Sequence, residues 1–406
     1  ACKSGDWCLA IWHLGFVPMG DQRIFREVIT CCSRAQQWQA GIHVLASIFE
    51  ATVVPTVYSF SAAISACESC SRWQEAGYLL SYMAAARTAA NVFSFSACIS
   101  AVGKGSQWEL ALRLLSDMSD VRIFPNVFSY SASISACEKV GHWQMAMLLL
   151  AGMSTNSVSP DDKSFNSCMS ACEKGNQWQF ALELLSQMPT ARITPTDISF
   201  NAGISACEKG GEWKFALELL LGMWRLRIKP TEISTNSAIS ACARGDQWRM
   251  ALELLASMPK TSQFPSTISF SASISACEKG GQWQVALQLL SKLPDAKVER
   301  DGIIFSAAIS ACEKAGHWQL ALVLLLQMSE ATVSIDEISF NAAISACEKA
   351  EVALQSSVCA SHTDGTLPMT DLGAHAQRQN QSHPTIPERP RAVSSFGCCS
   401  SQNHGS

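Results

Sequence analysis

The chain has 406 residues, 48% of them hydrophobic and 16% charged, which is enough apolar side chain to bury a long continuous core. Its formal charge of −4 argues against an indiscriminate, strongly basic nucleic-acid binder and leaves local basic stripes open. No run of about 18 apolar residues occurs, so no membrane-spanning helix is expected.

Residues 1–21 read as a truncated, degenerate repeat. Ala1-Cys2-Lys3-Ser4-Gly5-Asp6-Trp7 follows the later Ala206-Cys207-Glu208-Lys209-Gly210-Gly211-Glu212-Trp213 with one residue missing. Any targeting peptide would lie upstream of it.

From there the chain is periodic. Tryptophans at 38, 73, 108, 143, 178, 213, 248, 283 and 318 stand 35 residues apart. A fixed period of about 20–50 residues marks a stack of units, each burying its apolar face against its neighbours. In this frame units start at 22, 57, 92, 127, 162, 197, 232, 267 and 302 and are complete through Asp336. A tenth supplies only a first helix, from Ile338 to about Lys349. Together they make an array over 22–350.

The unit 127–161 shows the local logic. Tyr130, Ser133 with Ile134, and Cys137 recur at three- and four-residue steps, the face of one helix. Gly141 ends that helix. Trp143, Met147 and Leu150 mark a second one, ending near Met153; Pro160 and the N-capping Asp161 then open the next unit. The tryptophans are expected in the core, joining the two helices of a pair. Residues 351–406 are rich in Ser, Gln, His and Pro without periodicity, and are expected to be disordered.

Nine of the 18 cysteines follow the same ruler: Cys32, Cys67, Cys137, Cys172, Cys207, Cys242, Cys277, Cys312 and Cys347 recur at 35 residues or its multiple, with Val102 in the gap. Equivalent positions in stacked helices lie roughly 8–10 Å apart, beyond the ~7 Å reach of a disulfide. Reduced core thiols are expected. No base stands ready to activate them, and Cys398, Cys399 and His404 complete no metal set. No catalytic residue, metal or cofactor is expected.

Two positions vary within a narrow set. The fifth residue of each unit is Arg26, Ser61, Ser96, Ser131, Asn166, Asn201, Asn236, Ser271, Ser306 and Asn341. The thirty-fifth is Thr56, Asn91, Asn126, Asp161, Thr196, Thr231, Ser266, Asp301 and Asp336. Helix capping alone explains the second set. It does not explain the first, because Ser and Asn are mildly unfavourable inside a helix.

The pattern Phe-Ser/Asn-x-x-Ile-Ser-Ala-Cys-Glu-Lys-x-Gly-x-Trp-x-x-Ala-Leu-x-Leu-Leu-x-x-Met, closing on Pro and a polar residue, resembles the pentatricopeptide repeat across 22–350. Phe165-Asn166, Phe200-Asn201, Phe340-Asn341, Ala181 to Leu185 and Ala216 to Leu220 carry the likeness. Tetratricopeptide repeats, with 34 residues and a differently placed tryptophan, fit less well. The resemblance implies an all-α fold, a right-handed α-solenoid superhelix of stacked helix-turn-helix repeats. It also implies a reader of single-stranded RNA, one base per repeat, with the fifth and thirty-fifth side chains bonding the base edge.

By the same resemblance, Ser with Asn reads A, Ser with Asp reads G, Asn with Ser reads C, and Asn with Thr reads a pyrimidine. The units from Ser61/Asn91 to Ser306/Asp336 then spell 5′-AAGYYCGG-3′, and Arg26 with Thr56 matches no rule. The implied setting is organellar RNA processing, stabilisation or translation, in a plastid before a mitochondrion. The implied molecule is a monomer with RNA and other RNA-processing proteins as partners and no membrane.

Two further stripes share the frame. The second residue is Tyr58, Phe93, Phe128, Ile198, Ile233, Ile268 and Ile303, with Ile338 in the tenth unit and Arg23 and Lys163 as interruptions. These side chains suit wedging between bases, worth about 1–3 kcal/mol per base for an aromatic, or packing between units. The thirteenth is Arg34, Lys104, Lys139, Lys174, Lys209, Arg244, Lys279, Lys314 and Lys349, with Ser69 uncharged. This row suits phosphates or the negative ends of the first helices; Glu138, Glu173 and Glu208 partly cancel it. Two other readings stay open: a protein-binding helical scaffold, which predicts varied groove residues, and a decayed repeat fragment.

Overall fold

A computed structural model describes residues 22–50, 55–294, 296, 298, 301–331 and 333–363, with backbone alone at 22, 50 and 351–363. The remnant expected at 1–21 lies outside the described residues, as does 364–406 of the segment expected to be disordered.

Among the described residues every regular element is helical. First helices begin on the 35-residue frame: Gln22–Arg34, Val57–Ser69, Val92–Lys104, Val127–Val140, Asp162–Lys174, Asp197–Gly210, Glu232–Arg244, Thr267–Lys279 and Gly302–Lys314. Second helices begin on the tryptophan each time: Trp38–Glu50, Trp73–Ala85, Trp108–Asp120, Trp143–Thr155, Trp178–Gln187, Trp213–Arg225, Trp248–Ser257, Trp283–Lys292 and Trp318–Glu330. From Val57–Ser69 through Gly302–Lys314, each first helix packs on the first helix of the unit before it and on that unit's second helix, and every first helix to that point packs on its own second helix. The first helices thus form a continuous row with the second helices behind it. This is an all-α repeat solenoid.

Local chemistry sets both ends of the first helices. Thr56, Asn91, Asn126, Asp161 and Thr231 accept a hydrogen bond from the backbone N–H three residues on, which satisfies one of the donors a helix start leaves free. At the other end the fifteenth residue turns the chain in the left-handed region. Glycine supplies that conformation at Gly141, Gly211, Gly281 and Gly316, while Gln36, Ser71, Ser106, Asn176 and Asp246 adopt it elsewhere.

The core repeats with the units. In unit 127–161, Tyr130, Ile134, Ala136 and Cys137 are buried against Ala146, Leu150 and Met153. The tryptophans correct the expectation: from Trp38 to Trp283 they are half-buried, and Trp318 is 38% exposed. As the first residue of its helix, each lies at the rim of the pair, and it packs on the next unit. A Cβ on Gly105, Gly175, Gly210, Gly245 or Gly280 would fall 2.2–2.4 Å from the indole of Trp73, Trp143, Trp178, Trp213 or Trp248 respectively. These glycines open the space into which the indole of the preceding unit fits.

At unit 232–266 a polar pair interrupts the fully buried apolar core, with Trp213 and Leu254 packed on both sides of it. Thr235 stands there where other units bury an aromatic. Its hydroxyl donates to Gln263 Oε1 at 2.9 Å, and Gln263 Nε2 donates to the Pro230 carbonyl at 2.6 Å.

The final helix, Glu337–Thr363, runs 27 residues and does not stop near Lys349. The turn glycine and tryptophan of earlier units have no counterpart after Ala350, where Val352-Ala353-Leu354-Gln355 repeats Val285-Ala286-Leu287-Gln288 three residues early. Residues with good helix propensity follow directly on Ala350. The helix therefore outlasts the repeat pattern by several turns into the stretch expected to be disordered.

Candidate nucleic-acid interface

Positions 2, 5, 9 and 13 of a first helix are spaced three and four residues apart and share one face. The second residues project from it. Tyr58, Phe93, Phe128, Ile198, Ile233, Ile268, Ile303 and Ile338 are 52–66% exposed, far more than side chains packed between units.

Fifth and thirty-fifth residues of one unit meet. Asn201 Nδ2 donates to Thr231 Oγ1 at 3.2 Å, and Asn236 Nδ2 reaches Ser266 Oγ at 3.5 Å. The thirty-fifth residue is the N-cap of the following first helix, which sits beside its predecessor in the row; this juxtaposition makes the two side chains neighbours. Ser61, Ser96, Asn236 and Ser306 are buried, whereas Ser131, Asn166, Asn201 and Ser271 are half-buried. These side chains form the floor of the surface, with the position-2 side chains standing above it.

A third residue joins them that the sequence reading passed over. Ser59, Ser94, Ser129, Ser164, Ser199, Ser234, Ser269 and Ser339 occupy the third position and are buried. Ser129 Oγ contacts Ser96 Oγ at 2.7 Å, and Ser199 Oγ donates to Asn166 Oδ1 at 2.7 Å. The signal was present as a repeated serine three residues after each cap, the second half of a capping box.

At one unit these groups line a single cavity of about 220 Å³. Tyr58 and Phe93 stand on its sides with Ser61, Asn91, Ala62 and Ser65 between them, and Arg26, Thr30 and Ser33 close the preceding side. An aromatic from each of two successive units lines it together with Ser61 and Asn91, and the Arg26 guanidinium lies over the Tyr58 ring at 5.8 Å.

The basic row is largely paired across units. Lys104, Lys174, Lys209, Arg244 and Lys314 lie 3.0–3.6 Å from Glu68, Glu138, Glu173, Glu208 and Glu278 of the preceding unit. Lys139 has Gly103 at the matching place and donates instead to the Lys104 carbonyl at 3.0 Å; burial, then Lys104 and Lys174, lower its pKa against the raising effect of Glu138. Lys279 has Ala243 there. Burial pushes the Glu208 carboxyl above its ordinary range, more than Arg244 draws it down. With the cations 37–49% exposed, such pairs are worth little in stability and leave each lysine or arginine open to solvent.

Among the described cysteines all are buried except Cys70 and Cys347, which are half-buried. Burial drives Cys67, Cys98 and Cys207 up to about 12, and Cys137, Cys242, Cys277 and Cys312 to about 11. Among the described residues no cluster of His, Cys, Asp and Glu is arranged to hold a metal.

Family models match the chain at its repeats: the pentatricopeptide repeat domain at 113–176 and 148–210, and the PPR repeat at 93–123, 233–260 and 303–333. No curated protein matches it. Among solved structures it is similar to the pentatricopeptide repeat protein PPR10 from maize, with 19% identity, a TM-score of 0.53, and coverage of 90% of this chain and 58% of that one. PPR10 in complex with an 18-nt psaJ RNA element is matched at 17% identity over 91% and 64% of the two chains, with a TM-score of 0.39. The PPR domain of Arabidopsis thaliana PRORP1 in complex with tRNA is matched at 11% identity over 44% and 95%, also at 0.39. The chain therefore spans 58% of the length of maize PPR10 and shares its fold. The repeat models fall on the tryptophan frame, so the chain carries pentatricopeptide repeats at the matched stretches of its array.

Proposed function

We propose that the array binds single-stranded RNA along the row of first helices, with one base per unit. The cavity bracketed by Tyr58 and Phe93 and floored by Ser61 and Asn91 carries the reading. Its walls suit the faces of a base and its floor offers hydrogen-bonding groups to a base edge. Maize PPR10, whose fold is similar, is crystallised with an RNA element.

Bases stack between successive position-2 side chains, and the fifth and thirty-fifth residues read 5′-AAGYYCGG-3′. Lys104, Lys139, Lys174, Lys209, Arg244, Lys279 and Lys314 offer charge to phosphates, strongest at Lys139 and Lys279, which lack a carboxylate at the matching place. Function then rests on occupying the RNA within organellar transcript processing, stabilisation or translation, the setting that family resemblance suggests. No active site is needed for that.

Selection of bound RNA from a random pool on the full chain tests this. Enrichment of the predicted octamer is expected; an unrelated motif defeats the assignment of bases, and no motif defeats the reading. Asn201→Ser with Thr231→Asp sharpens the test. It is expected to move one position from pyrimidine to G while its neighbours stay unchanged.

A further inference from the structure

We infer that the third-position serine of each following unit is a specificity-positioning residue: it fixes which way the fifth-position asparagine turns its carboxamide. This rests on the RNA reading above and deepens it.

Three units show the arrangement. The backbone N–H groups of Thr196, Thr231 and Ser266 donate to Ser199, Ser234 and Ser269 Oγ at 3.1, 3.0 and 3.1 Å. Each hydroxyl, already an acceptor from that N–H, has one proton to give. The side-chain oxygen of the preceding unit's asparagine takes it: Ser199 to Asn166 at 2.7 Å, Ser234 to Asn201 at 2.5 Å, Ser269 to Asn236 at 2.7 Å. With Oδ1 engaged, Nδ2 is the end left to donate: at Asn201 it reaches Thr231 Oγ1, and at Asn236 it reaches Ser266 Oγ and Glu232 Oε1.

The serine-containing units work the other way. Ser94 and Ser129 give their proton to Asn91 and Asn126 Oδ1 at 2.8 and 2.9 Å, and Ser164 gives its own to Asp161. There the thirty-fifth residue holds the carbonyl-type oxygen, and the fifth is a hydroxyl bonded nearby, Ser61 to the Val57 carbonyl, Ser131 to the Val127 carbonyl and Ser96 to Ser129 Oγ. From Ser61/Asn91 through Ser306/Asp336, the fifth and thirty-fifth residues together supply one amide or carboxylate in every unit. Except after Ser271/Asp301, where Ile304 takes the third position and Asp301 accepts from the Ile303 N–H, a serine between them has one proton for one such oxygen.

A donor held outward selects a base that offers an acceptor at the facing edge. Pyrimidines present O2 there; guanine presents an amino donor and adenine a C–H. The serine thereby turns an ambivalent asparagine into a donor-only reader. Units with Asn166, Asn201 and Asn236 are those assigned a pyrimidine.

The test uses the full chain and selected RNA, with the base changed at one position at a time. Ser234→Ala frees the Asn201 carboxamide to turn over, and the preference for pyrimidine over guanine at that position is expected to fall roughly tenfold, the order of one hydrogen bond of reversed sense. Ser234→Thr keeps a hydroxyl and is expected to restore it. Ser129→Ala removes an equivalent capping hydroxyl beside Ser96, whose side chain has no two ends to exchange, while Asn126 Oδ1 stays held by the backbone N–H of residue 129 at 2.9 Å. It should lower thermal stability much as Ser234→Ala does while leaving its base preference within twofold.

If Ser234→Ala keeps the wild-type preference, or if Ser129→Ala shifts its own position as strongly, the serine is only a cap and the proposal is overturned while the RNA reading stands. If the wild-type chain shows no base preference at any position, both fall together.

Discussion

At the residue scale, single positions carry conformational or ionisation costs that the repeat itself makes measurable. Ser106 holds φ at 59° at the place where Gly141, Gly211, Gly281 and Gly316 sit in sister units. A side chain in the left-handed region costs roughly 1–2 kcal/mol, part of which glycine returns through its greater freedom when unfolded. Ser106→Gly is therefore expected to stabilise the unit by about 0.5–1 kcal/mol, read as a raised midpoint in denaturant; an unchanged or lowered midpoint refutes it.

The thiols make a second case. Folding raises Cys137 to about 11 by burial, above its unfolded range near 8.5–9, so the folded state favours the protonated thiol. The contribution is whole below pH about 8.5 and is lost as pH climbs toward 11. Under reducing conditions the melting temperature is expected to hold level to about pH 8.5 and then fall, and Cys137→Val, which copies Val102, is expected to soften that fall. Equal slopes in the two proteins would remove the thiol from the explanation.

At the element scale, the helix frame was legible in full because periodicity depends on local spacing, and every first helix starts where the 35-residue ruler places it. What the tryptophans touch was not legible. Spacing shows that a large residue recurs, but not whether it faces its own helix pair or the next one. The third-position serine was missed for a related reason: it looks like an ordinary cap until the neighbouring helix is in place. Both features live between units, and a pattern read along one unit does not contain them.

Contact between units has its own sequence trace, visible only once the partner is known. Where the fourteenth residue is Gly105, Gly175, Gly210, Gly245 or Gly280, the sixteenth is Gln or Glu. Where it is Val140 or Ala315, the sixteenth is histidine, with His142 4.3 Å from Trp108 and His317 4.1 Å from Trp283 between ring centres. The indole is seated on a glycine, against an imidazole or, at Trp38, under the Arg72 guanidinium 5.0 Å from the ring centre. Gly245→Ala puts a Cβ 2.2 Å from Trp213 Cδ1 at a backbone conformation alanine adopts freely (φ −89°), so only the contact is disturbed. The expected cost is about 1–3 kcal/mol. Adding Gln247→His, the Ala315/His317 combination already present in the chain, is expected to recover part of it. A double variant no more stable than the single one would show that the two seatings are not interchangeable.

At the scale of the whole molecule, a stack with only nearest-neighbour contacts is as cooperative as its weakest junction. Unit 232–266 is expected to be that junction, because the buried Thr235–Gln263 pair stands there in place of a buried aromatic. A hydrogen-bonded polar pair holds a unit together but contributes less to its interface than the aromatic side chains buried at Phe200 and Phe270 on either side. The array is expected to unfold in two stages, and hydrogen exchange should show protection dropping separately on the two sides of residues 232–266.

Thr235→Phe alone is expected to destabilise, because it leaves the buried Gln263 carboxamide without its partner at a cost of about 1–3 kcal/mol. Thr235→Phe with Gln263→Ile restores the pattern of the other units and is expected to merge the two stages into one at higher temperature. A single cooperative transition in the unmodified chain, with uniform exchange across the seam, would mean that the backbone row of first helices carries cooperativity past the polar pair. The two-stage account depends on its not doing so, since the row's contacts at this unit are made by the same first helix that has lost its aromatic.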